Sequence, residues 1–457
     1  MTMWRANPDR PDRIAVNPLY AAEEGVSVPR FRLSGDGMAP DVAAQIVRDE
    51  AMLDGNARQN LATFVTTWME PQARDLYAEA FDKNLVDKDE YPYTAAVEDR
   101  CVRILADLWH CPDPAGTVGT STVGSSEACM LAGLAFKRRW QQARRAAGAT
   151  TDRPNIVMSS AVQVVWEKFA TYWDVEPRLV PLGPGETTMS VDGMLAAVDE
   201  HTIGVVAVLG VTYTGDYEPV AALAAALDDL EQRTGLDVPL HVDGASGAMI
   251  APFLDPELVW DFQLTRVHSI NTSGHKYGLV YPGLGWVVWR SADLLPEELI
   301  FHVAYLGGDM PTFDLNFSRP GAQVLLQYYT FLRLGFAGYQ MVQQASRDVA
   351  CQLSAAIGAR EEFTLLTDGS QLPVFAWTLT PEVTGWDLHD LAAKLQERGW
   401  QVPAYPLAAN REDETVMRIV VRNGLSPDLA DAFLETLGHA VASLHRPGRG
   451  RHAAFRH

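Results

Sequence analysis

The chain of 457 residues carries a formal net charge of −21 and is 47% hydrophobic, 21% charged and 9% aromatic. That length exceeds one ordinary core and predicts two or three globular domains. The acidic balance excludes nucleic acid or an anionic membrane as the main partner, because such a surface repels polyanions. The four cysteines, Cys101, Cys111, Cys129 and Cys351, form no CxxC pair and no Cys/His cluster. They read as reduced and binding no metal, which suits the cytoplasm. The opening "MTMWRANPDRPDRIAVNPLY" has no apolar signal core, and no window approaches about 18 apolar residues in a row, so neither secretion nor a membrane span is expected.

Residues 1 to about 38 are polar and proline-bearing, a segment suited to subunit contacts; a helical pattern in "APDVAAQIVRDEAML" and the loop-like "DGNARQN" follow. From residue 61 to 345, apolar β-prone runs occur at "PNIVMSS", "TIGVVAVLGVTY", "VPLHVDGAS", "RVHSIN" and "GLGWVVWR". They alternate with helix-like stretches such as "VAALAAALDDLEQRTG", for which Gly235 is a natural stop. The alternation predicts a mainly parallel sheet covered on both faces, with its ligand crevice at the carboxyl ends of the strands. From residue 346 a long helix leads into "FTLL", "LPVFAWTL", "WDLHDLAAKLQERGW", "VMRIVVRN" and "LADAFLETLGHAVASLH", the mixture of a smaller α+β domain. The expected organisation is an N-terminal segment 1–60, a large domain 61–345 and a small domain 346–457 ending in a flexible tail over 445–457, without internal repeats.

Three of the predicted strand ends carry reactive groups. In "HVDGASG", Asp243 follows the apolar "VPLHV". A carboxylate there is costly unless a cation pairs with it, although an N-cap aspartate before Gly244 and Ser246 is the plainer reading. In "SGHKYG", Lys276 stands behind His275 between two buried runs, either as a snorkelling loop lysine or as an amine nucleophile. In "GTSTVGSSEACMLAG", small residues run into a helix that begins near Ser125 and Ser126. Its free amides, hydroxyls and dipole suit a phosphate, and equally a simple serine cap with Glu127 in the first turn. An amine, a carboxylate for a cationic ring nitrogen and a phosphate nest are together what pyridoxal 5′-phosphate requires.

These segments, with "VQVVWEKFATYWDV", "DGNARQNLATF", "GVTYTG", "YLGG", "NFSRP" and "RGWQVPA", resemble the pyridoxal phosphate-dependent group II decarboxylases, and within them the bacterial glutamate decarboxylases. The similarity runs from about residue 30 to the end of the chain. It implies the aspartate aminotransferase-like, fold type I α/β architecture, pyridoxal 5′-phosphate as cofactor, and conversion of L-glutamate to 4-aminobutanoate and CO2. It also implies a homodimer at least; a homohexamer stays open because the first 30 residues match poorly. The alternatives are decarboxylation of aspartate or an aromatic amino acid, and a non-catalytic paralogue that serves as a binding protein.

By the same resemblance, Lys276 is the Schiff-base lysine, Asp243 faces the ring nitrogen, the Ala245 methyl packs on the ring and Gln163 lies over its other face. Thr212 hydrogen-bonds near the cofactor and the reacting carboxylate, while Ser125, Ser126 and His275 hold the phosphate. Ser318 reaches the phosphate of a neighbouring subunit; a turn serine before Arg319 and Pro320 is the plainer reading. Thr63, Phe64 and Asp87 fall at the distal carboxylate of the substrate. Asp87 fits there only if one of the two facing acids is protonated, and a solvated loop acid is its alternative. Arg422 faces the α-carboxylate, and Tyr305 sits on a glycine-hinged loop that closes over the site. Gly244 stands where many relatives carry alanine, a change expected only to soften the backbone, and Glu167 stands where a histidine is frequent. The closing "FRH" is similar to the end of acid-activated members, so His457 is expected to plug the site near neutral pH and leave it on protonation; a flexible basic tail is the other reading.

Overall fold

The structure, a computed structural model, describes residues 31–33, 35, 37–303 and 310–445. The chain up to Gln59 is a unit of its own, whose described part holds the helix Pro40–Ala51 with no buried residue. The chain from Asn60 onward is a second compact unit, built on two sheets and a short ribbon.

The larger sheet consists of β1 (Val118–Thr122), β2 (Asn155–Ser159), β3 (Glu176–Val180), β4 (Thr202–Val208), β5 (Leu240–Asp243), β6 (Val267–Thr272) and β7 (Gly285–Trp289). Their order is β1-β7-β6-β5-β4-β2-β3, parallel from β6 to β3, with β7 antiparallel to both of its neighbours. Strands β2, β4, β5 and β7 are buried at every position, which is why they read as continuous apolar runs. Two strands escaped the pattern. β1 is rich in Gly, Ser and Thr, and β3, at the sheet edge, is largely exposed and contains Pro177. Helix Val220–Thr234 stops as expected at Gly235, which donates its N–H to the Glu231 carbonyl at 2.7 Å and turns the chain out of the helix with a φ of 74°.

The ribbon pairs β8 (Phe301–Val303) with β9 (Met310–Thr312); Tyr305, between them, lies outside the described residues. The second sheet is antiparallel, in the order β10-β11-β13-β12, from β10 (Phe363–Leu365), β11 (Val374–Leu379), β12 (Ala404–Pro406) and β13 (Thr415–Val420). It has its own core around Trp377, Trp400 and Phe433, to which Leu61 is added from far upstream. The helix expected after residue 346 begins earlier, at Ala322, and runs to Gly358 with a break at Gly335, whose φ of 57° glycine adopts without steric cost. Before the break Val324 and Leu326 pack beneath the large sheet, and after it Val349, Leu353 and Ile357 enter the second core. Among the described residues no helix is long and apolar enough to cross a membrane.

Candidate active site

A cavity of about 410 Å³ opens at the carboxyl ends of β4 and β5 and gathers Ser125, Ser126, Gln163, Thr212, Asp243, Ala245, Ser246, His275 and Lys276. This is the crevice expected of a parallel sheet. A separate cavity of about 320 Å³, between Asp216 and residues 365–374, has no amine or imidazole in its wall and offers no comparable chemistry.

Asp243 ends β5 and is 4% exposed. Its Oδ2 accepts from Trp166 Nε1 at 2.9 Å and from Cys129 Sγ at 3.7 Å, and its Oδ1 accepts from Asn271 Nδ2 and the Ala245 N–H, both at 3.2 Å. The cation expected beside it is replaced by neutral donors, so the carboxylate is solvated by dipoles without being neutralised. The N-cap reading does not hold, because the short 3₁₀ turn that follows, Gly247–Met249, starts from Ser246.

Lys276 follows β6 and ends inside the cavity, its Nζ 3.4 Å from Ser246 Oγ and 5.0 Å from the centre of the Phe64 ring. Burial lowers its pKa; Asp243 opposes that shift and the charge of Arg418 adds to it. The free amine is thereby brought nearer to neutrality, which is what a nucleophilic lysine needs. Thr66 fixes the loop, its Oγ1 donating to the Lys276 carbonyl at 2.6 Å and its N–H to the His275 carbonyl at 2.7 Å.

Helix Ser125–Ala146 begins at the cavity with Gly124 as its N-cap, so neither serine caps it and both hydroxyls stand on the first turn. Ser125 Oγ accepts from Ser273 Oγ at 2.8 Å. Glu127 is occupied by backbone amides, accepting from Val123 N–H at 2.8 Å and from Leu315 and Asn316 N–H at 3.1 and 3.3 Å. Strand β7 passes so close that a Cβ on Gly285 would lie 2.4 Å from Gly124 C and 2.6 Å from Ser125 N. His275 Nδ1 accepts the Leu284 N–H at 3.1 Å, leaving the proton of the neutral ring on Nε2. Burial, aided by Lys276, lowers its pKa to about 4. A helix N-terminus, two hydroxyls and a neutral imidazole at one end, a carboxylate at the other and an amine between them fit pyridoxal 5′-phosphate.

The other expected residues divide. Gln163 is exposed at the rim, and its Oε1 accepts from the Val165 N–H at 2.7 Å. Thr212 lines the cavity while its carbonyl accepts from Arg418 Nη1. Phe64 is buried between Lys276 and Arg418, and Thr63 next to it accepts through its carbonyl from Arg422 Nε at 3.1 Å. Arg422, only 7% exposed, also donates to Thr67 Oγ1 at 2.6 Å and to the Asn60 carbonyl at 2.9 Å, and burial lowers its pKa. These bonds bind it to the 60–67 segment, where it was expected to face a substrate carboxylate. Asp87 and Ser318 do not line the cavity of their own chain: Asp87 Oδ1 accepts from the Glu90 N–H at 2.9 Å, and exposed Ser318 accepts from Asn84 Nδ2 at 3.3 Å. His457 lies outside the described residues, as does Tyr305. Gly244 does more than soften the backbone, since a Cβ there would come 2.5 Å from Ala248 Cβ and 3.0 Å from the Asn271 carbonyl.

Sequence reasoning missed Arg418. Its guanidinium lies 4.9 Å from the Phe64 ring centre and 5.6 Å from that of Tyr405, and its Nη2 donates to the Ala62 carbonyl at 2.8 Å. Its Nε is buried without a partner, and its hydrogen bonds among the described residues go to the Thr212 and Ala62 carbonyls, not to an acid. Arg422 lies four positions further along the chain, so strand alternation alone assigns both to one face. Only the end of β13 at Val420 gives them different surroundings.

Residues 36–379 match the model of the pyridoxal-dependent decarboxylase conserved domain. A glutamate decarboxylase of Aliivibrio fischeri is 50% identical over 444 residues, covering 96% of this chain and 95% of that protein. The solved structure of Lactobacillus brevis glutamate decarboxylase superposes with a TM-score of 0.91 at 45% identity, covering 94% of this chain and 98% of that one. A sphingosine-1-phosphate lyase of Burkholderia pseudomallei, 23% identical with a TM-score of 0.77 and covering 93% and 95% of the two chains, shares the fold alone. With its fold type I α/β sheet and a donor set that suits the cofactor, this chain belongs to the pyridoxal-dependent decarboxylase family.

Proposed function

We propose that the chain is a glutamate decarboxylase, converting L-glutamate and one proton to 4-aminobutanoate and CO2. The observation that carries this reading is the convergence of Lys276, Asp243 and the first turn at Ser125 on one cavity, with the Arg418 guanidinium, to which no acid is paired among the described residues, behind Thr212 and Phe64. The near full-length similarity to proteins that bear that activity supports the choice of substrate. When bound, pyridoxal 5′-phosphate supplies an aldehyde for amines and a protonated ring that draws off the electron pair left as CO2 departs.

The protein's own contribution is positional and electrostatic. Ser125, Ser126, the first-turn amides and His275 Nε2–H hold the phosphate, and Asp243 keeps the proton on the ring nitrogen. Ala245 and Gln163 bound the two faces of the ring, and Thr212 lies at the edge near the reacting carboxylate. Lys276 Nζ would be the amine that holds the cofactor's aldehyde, and when free it would be placed to return a proton to Cα. Arg418, in place of Arg422, receives the α-carboxylate; Thr63 and Phe64 shape the adjoining wall.

Asn84 links Asp87 and Ser318: its Nδ2 donates to Ser318 Oγ at 3.3 Å, and its backbone carbonyl accepts from the Asp87 N–H at 3.2 Å. Their position away from their own cavity favours action on a second copy, in a homodimer. Within the second unit, the large domain carries the cofactor and the small sheet brings Arg418. The four free cysteines accord with a reducing cytoplasm. CO2 release measured over a panel of amino acids tests the substrate: glutamate should dominate, and a preference for aspartate or an aromatic amino acid would overturn the assignment.

A further inference from the structure

We propose that His241 is a positioning residue for Asp243, acting through Asn271 along a hydrogen-bonded row that the register of β5 on β6 creates. The proposal rests on the reading of Asp243 as partner of the ring nitrogen.

Alternation puts His241 and Asp243 on one face of β5, and Ser269 and Asn271 on one face of β6. The strands begin in register at Leu240 with Val267, but His241 then pairs with Ser269 and Asp243 with Asn271. One residue of β6, His268, is therefore passed over in a bulge. Without it His241 would face His268 and Asp243 would face Ile270, because a one-residue slip turns every side chain to the other face. The irregularity sets two hydrogen-bonding side chains beside the histidine and the carboxylate, where an isoleucine would otherwise stand.

Chemistry assigns each bond of the row one direction. Asn271 Nδ2 lies 3.2 Å from Asp243 Oδ1, and an ionised carboxylate only accepts, so the amide NH2 points to Asp243 and Asn271 Oδ1 points back. That oxygen lies 2.8 Å from His241 Nε2, which must then donate. Ser269 Oγ, 2.8 Å from Nδ1, donates to the remaining ring nitrogen. Burial, against the pull of Asp243, lowers the His241 pKa to about 4, which keeps the ring neutral near pH 7. Ser269, His241 and Asn271 are wholly buried, so no water competes for these bonds. Trp166 closes the other side, its Nε1 donating to Asp243 Oδ2 at 2.9 Å and its ring packing 5.3 Å from that of His241. With His241 removed, Asn271 Oδ1 loses the donor that anchors it, and the amide is free to shift away from Asp243 Oδ1. With His241 present, the carboxylate is held in one plane by neutral donors and keeps its full charge for the ring nitrogen.

The test uses the full-length holoenzyme and compares His241→Leu, His241→Gln, Asn271→Leu, the His241→Leu/Asn271→Leu pair and, in parallel, Asp243→Asn. The readouts are the affinity of the apoenzyme for pyridoxal 5′-phosphate, kcat and KM for glutamate, and thermal unfolding of the apoenzyme. His241→Leu should weaken cofactor binding about 10-fold or more, the scale on which outer partners of a ligating side chain act. It should lower kcat while KM shifts less than about twofold. His241→Gln, whose amide N–H can replace Nε2–H, should recover most of both. The double variant should be no worse than the poorer single one, because two links of one row are not additive. Unchanged cofactor affinity in His241→Leu, a glutamine variant no better than the leucine one, or additive losses would overturn the proposal. If His241→Leu does not fold, Asn271→Leu decides by the same readouts. An impaired Asp243→Asn beside a normal His241→Leu rejects the row alone, whereas a normal Asp243→Asn rejects the reading of Asp243 itself.

Discussion

Replacing Arg418 with glutamine separates the two arginines that could receive the substrate's α-carboxylate. Arg418 spends Nη1 and Nη2 on the carbonyls of Thr212 and Ala62, keeps a buried Nε unpartnered, and has no acid beside it among the described residues. A carboxylate about 4 Å from this charge gains roughly 4 kcal/mol at an effective dielectric near 20, before desolvation is counted. Truncating one partner of a buried charge pair costs about 2–5 kcal/mol. At the lower end, about 2 kcal/mol, kcat/KM should fall roughly 30-fold. Glutamine retains an amide N–H for one of the two carbonyls, so the melting temperature should move little. Arg422→Gln should behave in the opposite way. It breaks bonds to Thr63, Thr67 and Asn60, so thermal stability falls first and kcat/KM follows only as the 60–67 segment loosens. CO2 release from L-glutamate at mildly acidic pH, together with thermal unfolding of both variants, decides. If Arg418→Gln stays within about threefold of wild type while Arg422→Gln loses kcat/KM at unchanged stability, the assignment is wrong.

Lys276→Ala should leave the fold intact and release CO2 at less than about a thousandth of the wild-type rate, since such groups are worth roughly 10²–10⁴-fold; faster turnover would remove Lys276 from the chemistry. Gly285→Ala would drive a methyl to 2.4 Å from Gly124 C and should cost about 1–3 kcal/mol or more. Cofactor affinity should fall with it, and an apoenzyme titration showing wild-type affinity would argue against the phosphate cradle. Glu218, buried and accepting from the N–H groups of Met189 at 3.1 Å and Val208 at 2.7 Å, has its pKa raised by burial from 4.5 to about 7. Its folded form binds the proton more tightly than the unfolded chain, so its contribution is complete below about pH 4.5 and is lost as pH rises toward 7, by roughly 3 kcal/mol. Stability curves of wild type and Glu218→Gln should therefore differ in slope between those pH values, and parallel curves would show that Glu218 does not titrate there. Removing residues 446–457 should extend activity toward neutral pH if His457 acts as the sequence suggests, whereas an unchanged pH profile leaves those residues without a regulatory role.

The class of fold and the residues of the candidate site were legible in the sequence. Strands buried on both faces are largely apolar, so β2, β4, β5 and β7 were visible as runs, and Asp243 at the end of β5, Lys276 after β6 and Ser125 after β1 stood out at strand ends, each with a plain capping or loop reading beside the functional one. Edge strand β3 and the Gly- and Thr-rich β1 carried no such signal, because exposure and small side chains remove the pattern. The break at Gly335 was equally silent, since both halves of that helix keep an apolar face, and only packing carries the second half from the first core at Tyr339 to the second core from Val349 onward. Only tertiary structure separates Arg418 from Arg422, which share a face by alternation: Arg418 donates to the Thr212 and Ala62 carbonyls beside Phe64, whereas Arg422, beyond the end of β13, is bound to Asn60, Thr63 and Thr67. It alone replaced the cation expected at Asp243 with Trp166, Cys129, Ala245 and Asn271, and set Asn271 opposite Asp243 through one bulged residue. Periodicity reports which face a side chain occupies; the partner it meets there depends on register and on segments hundreds of residues away, and those are fixed only when the chain packs.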